Sequence, residues 1–141
     1  MNLHKRLIKS LSLLVTVAIC ETSCSERFEA IMNPYGHSVE PYPSIMDIPP
    51  EGGSVILSFE SNFYFGYSLR HDYESGFQLD DIEHELGEYH RHLELTVSAG
   101  ANNTQGDLLD TLWVEYRFPT FLLPVNATKK IGDYIIRQHP L

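Results

Sequence analysis

An antiparallel β-sandwich is what this sequence predicts, on three observations. Apolar and polar residues alternate with period two over several short stretches, the mark of strands with one face on a core. Clusters of Pro, Gly, Asn and Ser separate those stretches. No long stretch carries a helical spacing of apolar residues.

The stretches follow in order. "SVILSFE" (54–60) sets Val55, Leu57 and Phe59 on one face and Ser54, Ser58 and Glu60 on the other. The turn residues Pro49-Pro50-Glu51-Gly52-Gly53 lead into it. "FYFGYSL" (63–69) aligns Phe63, Phe65, Tyr67 and Leu69, and the Ser61-Asn62 break before it suggests a hairpin. "LDDIEHELGEYH" (79–90) reads as one turn of helix or a short strand. "HLELTVSA" (92–99) aligns Leu93, Leu95, Val97 and Ala99, and the polar loop "AGANNTQGD" (99–107) follows. "TLWVEYRF" (111–118) aligns Leu112, Val114, Tyr116 and Phe118 against Trp113, Glu115 and Arg117. Pro119 and Pro124 bound "TFLLP", at best an edge strand. "IGDYIIRQ" (131–138) is a last strand of less regular pattern. About seven short strands with turn signals between them make the expected class all-β, an immunoglobulin-like sandwich.

The start of the chain predicts an address. Lys5, Arg6 and Lys9 precede an apolar run from Leu11 to Ile19, too short to cross a bilayer but of secretory-signal length. The only two cysteines, Cys20 and Cys24, lie at its end. This resembles a bacterial lipoprotein signal, cut before a cysteine that then carries the lipid. Ser23 before Cys24 and Ser25-Glu26 after it resemble the lipoproteins of the Bacteroidetes. Cys24 is therefore the expected lipidation site, with Cys20 the alternative. On this reading 1–23 is the signal peptide, 24–43 the lipidated cysteine and a Pro- and Gly-containing spacer, and 44–141 the domain. At most one cysteine remains, so no structural disulfide is expected. Lipid chains hold a protein at the membrane through their buried methylenes. The expected location is the cell envelope, anchored to the outer membrane.

The chain has 141 residues, with 19 Asp and Glu against 10 Lys and Arg. Three of those cations lie in the expected signal, so the domain is more acidic still. Nucleic acid is excluded as a partner, because phosphate binding needs Lys and Arg.

The order of signals resembles the BACON domain, the Bacteroidetes-associated carbohydrate-binding module. The residues are Gly52-Gly53, the strand "SVILSFE", Ser61-Asn62-Phe63, the strand "LELTVSA" with Asn102-Asn103, and "YIIRQ" ending in Gln138. They span roughly residues 44–139. Phe63 and Tyr64 stand where that family usually has Trp, and Asp110-Thr111 where it usually has Arg. The resemblance implies a sandwich that binds glycans, in the family beside enzyme domains.

Candidate site residues come from the aromatics. Sugar rings stack their C–H faces on exposed aromatic rings while polar neighbours bond the hydroxyls. Trp113, the sole Trp, falls out of phase with the apolar row and shares the other face with Glu115 and Arg117. Tyr64 is out of phase in its own strand. Tyr73 and Tyr89 fall in loops. The expectation is a non-catalytic protein without cofactor, binding glycans through these residues or docking on a larger outer-membrane assembly through protein contacts. No nucleophile elbow, phosphate loop or dinucleotide fingerprint is present. The cluster "DDIEHELGEYHRH" holds His90 and His92 at the spacing of one strand face, but no recognised zinc or calcium pattern, and reads as a solvated acidic segment. Asp110-Thr111-Leu112 resembles a bacterial O-glycan acceptor.

Overall fold

The computed structural model describes residues 25–71, 75–119 and 126–141. Cys20, Cys24, the signal segment, Tyr73 and the whole of "TFLLP" lie outside them. The chain divides into two units, Met1–Asn33 and Pro34–Leu141. In the first, residues 25–32 form a helix, closed by a hydrogen bond from Asn33 N to Glu29 O. No helix among the described residues is long and apolar enough to cross a membrane.

Among the described residues of the second unit the regular elements are all strands. Its elements are β1 (Gly36–Ser38), β2 (Ile45–Ile48), β3 (Gly53–Ser61), β4 (Tyr64–Leu69), β5 (Gln78–Gly87), β6 (His90–Ala99), β7 (Leu108–Pro119) and β8 (Asn126–Gln138). They form two four-stranded sheets, β1-β3-β6-β5 and β2-β8-β7-β4. This is the immunoglobulin-like order, with the β8-β7-β4 part of the second sheet extended by β2. β2 runs parallel to β8, and all other pairs are antiparallel. Among the described residues there are eight strands, close to the seven or so expected, and the second sheet is mixed. The two unexpected strands, β1 and β2, are too short to show alternation. β1 lies inside the stretch read as a spacer.

Alternation builds the core. Leu57 stands opposite Leu95 and Phe59 opposite Leu93, and all four are fully buried. From the second sheet Leu69 stands opposite Leu112, which in turn faces Tyr134 across β8. Ile48, Val97, Val114 and Ile136 complete the layer. Each such side chain contributes about 1.5–3 kcal/mol by leaving water.

One expectation is corrected and one is narrowed. The Ser61-Asn62 break does not close a hairpin, because β3 and β4 belong to different sheets. Local hydrogen bonds make the crossing. Ser61 Oγ donates to Tyr35 O at 2.9 Å and accepts from Phe63 N at 3.0 Å, while Asn62 Oδ1 accepts from Tyr35 N at 2.9 Å. Of the two readings of residues 79–90 the strand holds, and it is longer than expected. β5 spans ten residues, nine of them paired along β6 with Leu86 skipped at a bulge, and a tight turn at Glu88–Tyr89 joins the two strands. β5 lacks clean alternation because it is an edge, exposed from Asp80 to Gly87. Its positions in register with the inward residues Leu95, Leu93 and Arg91 are Asp81, Glu83 and Glu85. Inward charges are a common guard against edge-to-edge pairing.

The irregular pattern of the last strand has a cause. Val114 pairs with Gly132 but Glu115 pairs with Lys130, so Ile131 is an extra residue. This bulge shifts the phase of β8.

A buried polar cluster closes one end of the sandwich. Gln138 is fully buried, and its Nε2 donates to Pro49 O and Gly100 O, each at 2.8 Å. Asn102, also buried, donates from Nδ2 to Gly106 O at 3.0 Å and Gln138 O at 3.1 Å. Its own N–H reaches Pro50 O at 2.8 Å. Gly52 turns the chain there with φ 107°, a region open to glycine, and a β-carbon would lie 3.0 Å from Ala99 O.

Candidate functional site

Strand parity decides which residues face outward on the second sheet. Tyr64, Gly66 and Ser68 of β4 stand directly opposite Arg117, Glu115 and Trp113 of β7. Across β7 the same three residues oppose Thr128, Lys130 and Asp133 of β8. Paired residues in a ladder share a face. The four residues singled out in the sequence, Tyr64, Trp113, Glu115 and Arg117, therefore leave the backbone on the outer side of the second sheet, in adjacent rows.

Their environments differ. Tyr64 is 61% exposed, Trp113 is half-buried, and Glu115 is buried at 7%. Arg117 Nε lies 3.5 Å from Glu115 Oε1. The pair rests over Gly66, where a β-carbon would lie 3.0 Å from Glu115 Oε1 and 3.4 Å from Arg117 Nη2. A side chain there would push the pair outward.

Arg91 was not anticipated. It occupies the inward phase of β6, in line with Leu93, Leu95 and Val97, and its side chain is 8% exposed. Its guanidinium carbon lies 3.7 Å from the centroid of the Tyr64 ring, a cation–π contact. Glu83 and Glu85 hold it from β5, at 3.3 and 2.8 Å. Burial alone would ease its proton off, but the hydrogen bonds to Glu85 and Glu83 outweigh this and raise its pKa. One face of Tyr64 is thus covered and its orientation fixed by a clamp from the other sheet. A charged residue in phase with three core positions was the available signal.

Beside the clamp, burial, the hydrogen bond to Asp81 and the charges of Asp81 and Glu83 push the Tyr67 phenol up to about 12. The acidic run of β5 is therefore engaged. Asp81 meets Tyr67, and Glu83 and Glu85 meet Arg91.

His90 and His92 face outward on the first sheet, as their spacing implies. Each lies 3.9 Å from a different Glu60 oxygen, and the His84 ring is 6.5 Å from that of His92. No three His, Cys, Asp or Glu side chains among the described residues converge as a metal requires. Asp110, of the suggested O-glycan acceptor, is buried, and its Oδ1 accepts from His71 N at 3.0 Å and Thr111 N at 2.7 Å. That carboxylate ties the chain leaving β4 to β7, and Thr111 beside it is half-buried.

The residues behind the family resemblance lie elsewhere. Gly52-Gly53, Asn102 and Gln138 meet in the polar cluster at one end, and Ser61-Asn62 makes the crossing at the other. All of them bind backbone. They define how the sandwich is closed and leave its outer faces unspecified. No family model, no curated protein and no solved structure matches this chain.

Proposed function

We propose that this protein is a non-catalytic, lipid-anchored protein of the outer membrane whose BACON-like sandwich binds glycans on the outer face of its second sheet. The observation that carries the reading is the gathering of Tyr64, Trp113, Glu115 and Arg117 in adjacent rows of that face. Two rings supply stacking surfaces, and an arginine–carboxylate pair between them supplies donors and acceptors for hydroxyls. The clamp on Tyr64 lowers the entropy lost when a ligand stacks on it. Lipidation at Cys24 fits the sequence around the cysteines.

The test is binding of the full chain, purified in detergent, to an array of mucin O-glycans and plant and bacterial polysaccharides. Hits that vanish in Trp113→Ala, with melting unchanged, support the reading. Hits that persist in that variant sink the platform. Mass spectrometry of membrane-extracted protein is expected to find acyl chains on Cys24, and an adduct on Cys20 would move the anchor.

A second reading has its own observation. At the other end of the same face, Ile45 stands opposite Ile135, one row from Leu109, and all three are exposed. An apolar patch of this kind suits a protein partner in the outer membrane. Ile135→Glu would then abolish binding to that partner and leave glycan binding unchanged.

A further inference from the structure

Most cations of the second unit meet a carboxylate. Arg91 is held by Glu83 and Glu85, Arg117 by Glu115 and Lys130 by Asp133. Arg137 grips Asp47 at 2.6 and 3.0 Å. Arg70 and Lys129 are exposed and have no such partner among the described residues. In a chain with 19 Asp and Glu against 10 Lys and Arg, a cation left unpaired is the exception.

The two stand in different places. Lys129 lies opposite Tyr116, out of phase with Trp113 and near the start of β8. Arg70 follows the buried Leu69, and its N–H donates to Thr111 O at 3.0 Å, so the pairing of β4 with β7 runs on by one residue. Arg70 therefore leaves the backbone on the outer side of the second sheet, one row from Trp113 and diagonal to it. Diagonal neighbours on one face lie about 7–8 Å apart, within reach of long and aromatic side chains.

Trp113 is open to a ligand in a way that Tyr64 is not. Arg91 covers one face of Tyr64 at 3.7 Å, whereas no ring or guanidinium among the described residues stacks on Trp113. The carboxylates around it are already matched. Asp133, directly opposite Trp113 on β8, pairs with Lys130, and Glu115 pairs with Arg117. Asp110 is buried and accepts from His71 N and Thr111 N. The charge left over beside the indole is that of Arg70. Ser68, exposed and opposite Trp113, and Thr111, half-buried and opposite Arg70, add hydroxyls to the same patch.

We infer that the sugar bound at Trp113 carries a carboxylate, its ring stacked on the indole and its carboxylate paired with the Arg70 guanidinium. This rests on the glycan reading above and narrows it to acidic sugars, uronates or sialates. A guanidinium meets a carboxylate through two parallel N–H···O bonds, so the pairing also sets which edge of the sugar faces β4. The acidity of the rest of the chain limits the ligand's charge. A densely charged polymer would bring many anions against Asp and Glu, so the fit is to a single carboxylate in an otherwise neutral glycan.

The experiment titrates the full chain in detergent with xylo-oligosaccharides bearing one glucuronate and with sialyllactose, each beside its methyl ester. Esterification removes the charge and keeps the sugar. Polygalacturonate and heparin are run alongside, at low and high salt. In at least one of the two arms the free acid is expected to bind about fivefold more tightly than its ester, the upper range for one exposed ion pair, and that arm names the source of the acid. The advantage should shrink at high salt. Arg70→Gln should bind acid and ester alike, with melting unchanged because the guanidinium has no partner to lose. Lys129→Gln, equally exposed and unpaired, should keep the preference, and Trp113→Ala should weaken both forms. Equal binding of acid and ester by the parent protein in both arms would overturn the inference and leave glycan binding standing. So would a preference for the acid that survives in Arg70→Gln, or tighter binding of polygalacturonate or heparin that falls steeply with salt. A blank result from folded protein on every glycan, esters included, would remove the glycan reading itself, and this inference with it.

Discussion

The two ends of the sandwich each bury a polar cluster, and they use it differently. Around Gln138 and Asn102 the side-chain nitrogens reach backbone carbonyls of three segments, the turn before β3, the loop after β6 and the end of β8. Around Arg91 side chains engage one another, and the cluster ends on the exposed ring of Tyr64. The first arrangement fixes the chain path and presents nothing to solvent. The second carries order from the core of one sheet to the surface of the other. Partner type, not polarity, separates a closure from a site.

The largest expected effect comes from the closed end. Gln138→Leu removes the donor shared by Pro49 O and Gly100 O, and is expected to cost about 3 kcal/mol in a denaturant titration. Sugar affinity should be unchanged in the fraction that folds. A loss below about 1 kcal/mol would mean the cluster does not hold that end. Gly52→Ala should cost about 1–3 kcal/mol, because its φ is strained for a side chain and Ala99 O stands in the way.

Arg91→Met tests the other end. It leaves Glu83 and Glu85 without their partner, but Glu85 is exposed and can hydrate, so a loss of about 1–2 kcal/mol is expected. Glycan affinity should fall by more than in any other variant that leaves Tyr64 and Trp113 in place. Equal affinity in Arg91→Met and the parent protein would show that the clamp positions nothing.

The smallest effect is a titration. The Tyr67 phenol is held near 12 by burial and Asp81, against about 10 in an unfolded chain. Its stabilisation is complete below about pH 10 and declines as pH rises toward 12. Phenolate absorbance should show one tyrosine titrating near the top of that window, and Asp81→Asn should bring it down. Tyr67 ionising with the exposed tyrosines would break the link between β4 and β5.

Most of the strand layout was legible because alternation reports burial on one face. It located Leu57, Phe59, Leu93, Leu95, Leu112 and Val114 in the core, and Trp113, Glu115 and Arg117 opposite them. Where two faces are equally wet, as along β5, the pattern vanishes and so does the reading. β1 and β2 span three and four residues, too few for a period. Ser61-Asn62 carried a turn signal but not its direction, since the hydrogen bonds to Tyr35 that send the chain across are long-range. Tyr64 was legible as out of phase, but its clamp was not, because Arg91 reaches it from the other sheet. The cation pairing of the outer face likewise joins residues as far apart as Asp47 and Arg137.

The parallel pairing of β2 with β8 bears on how this domain carries load. Ile45 to Ile48 run alongside Ile135 to Gln138 in the same direction. A pull on the chain before Ile45, opposed at the far end of β8, acts along the strand axes. The rungs between them then share the tension and must rupture together, rather than opening one by one as a peeled hairpin would.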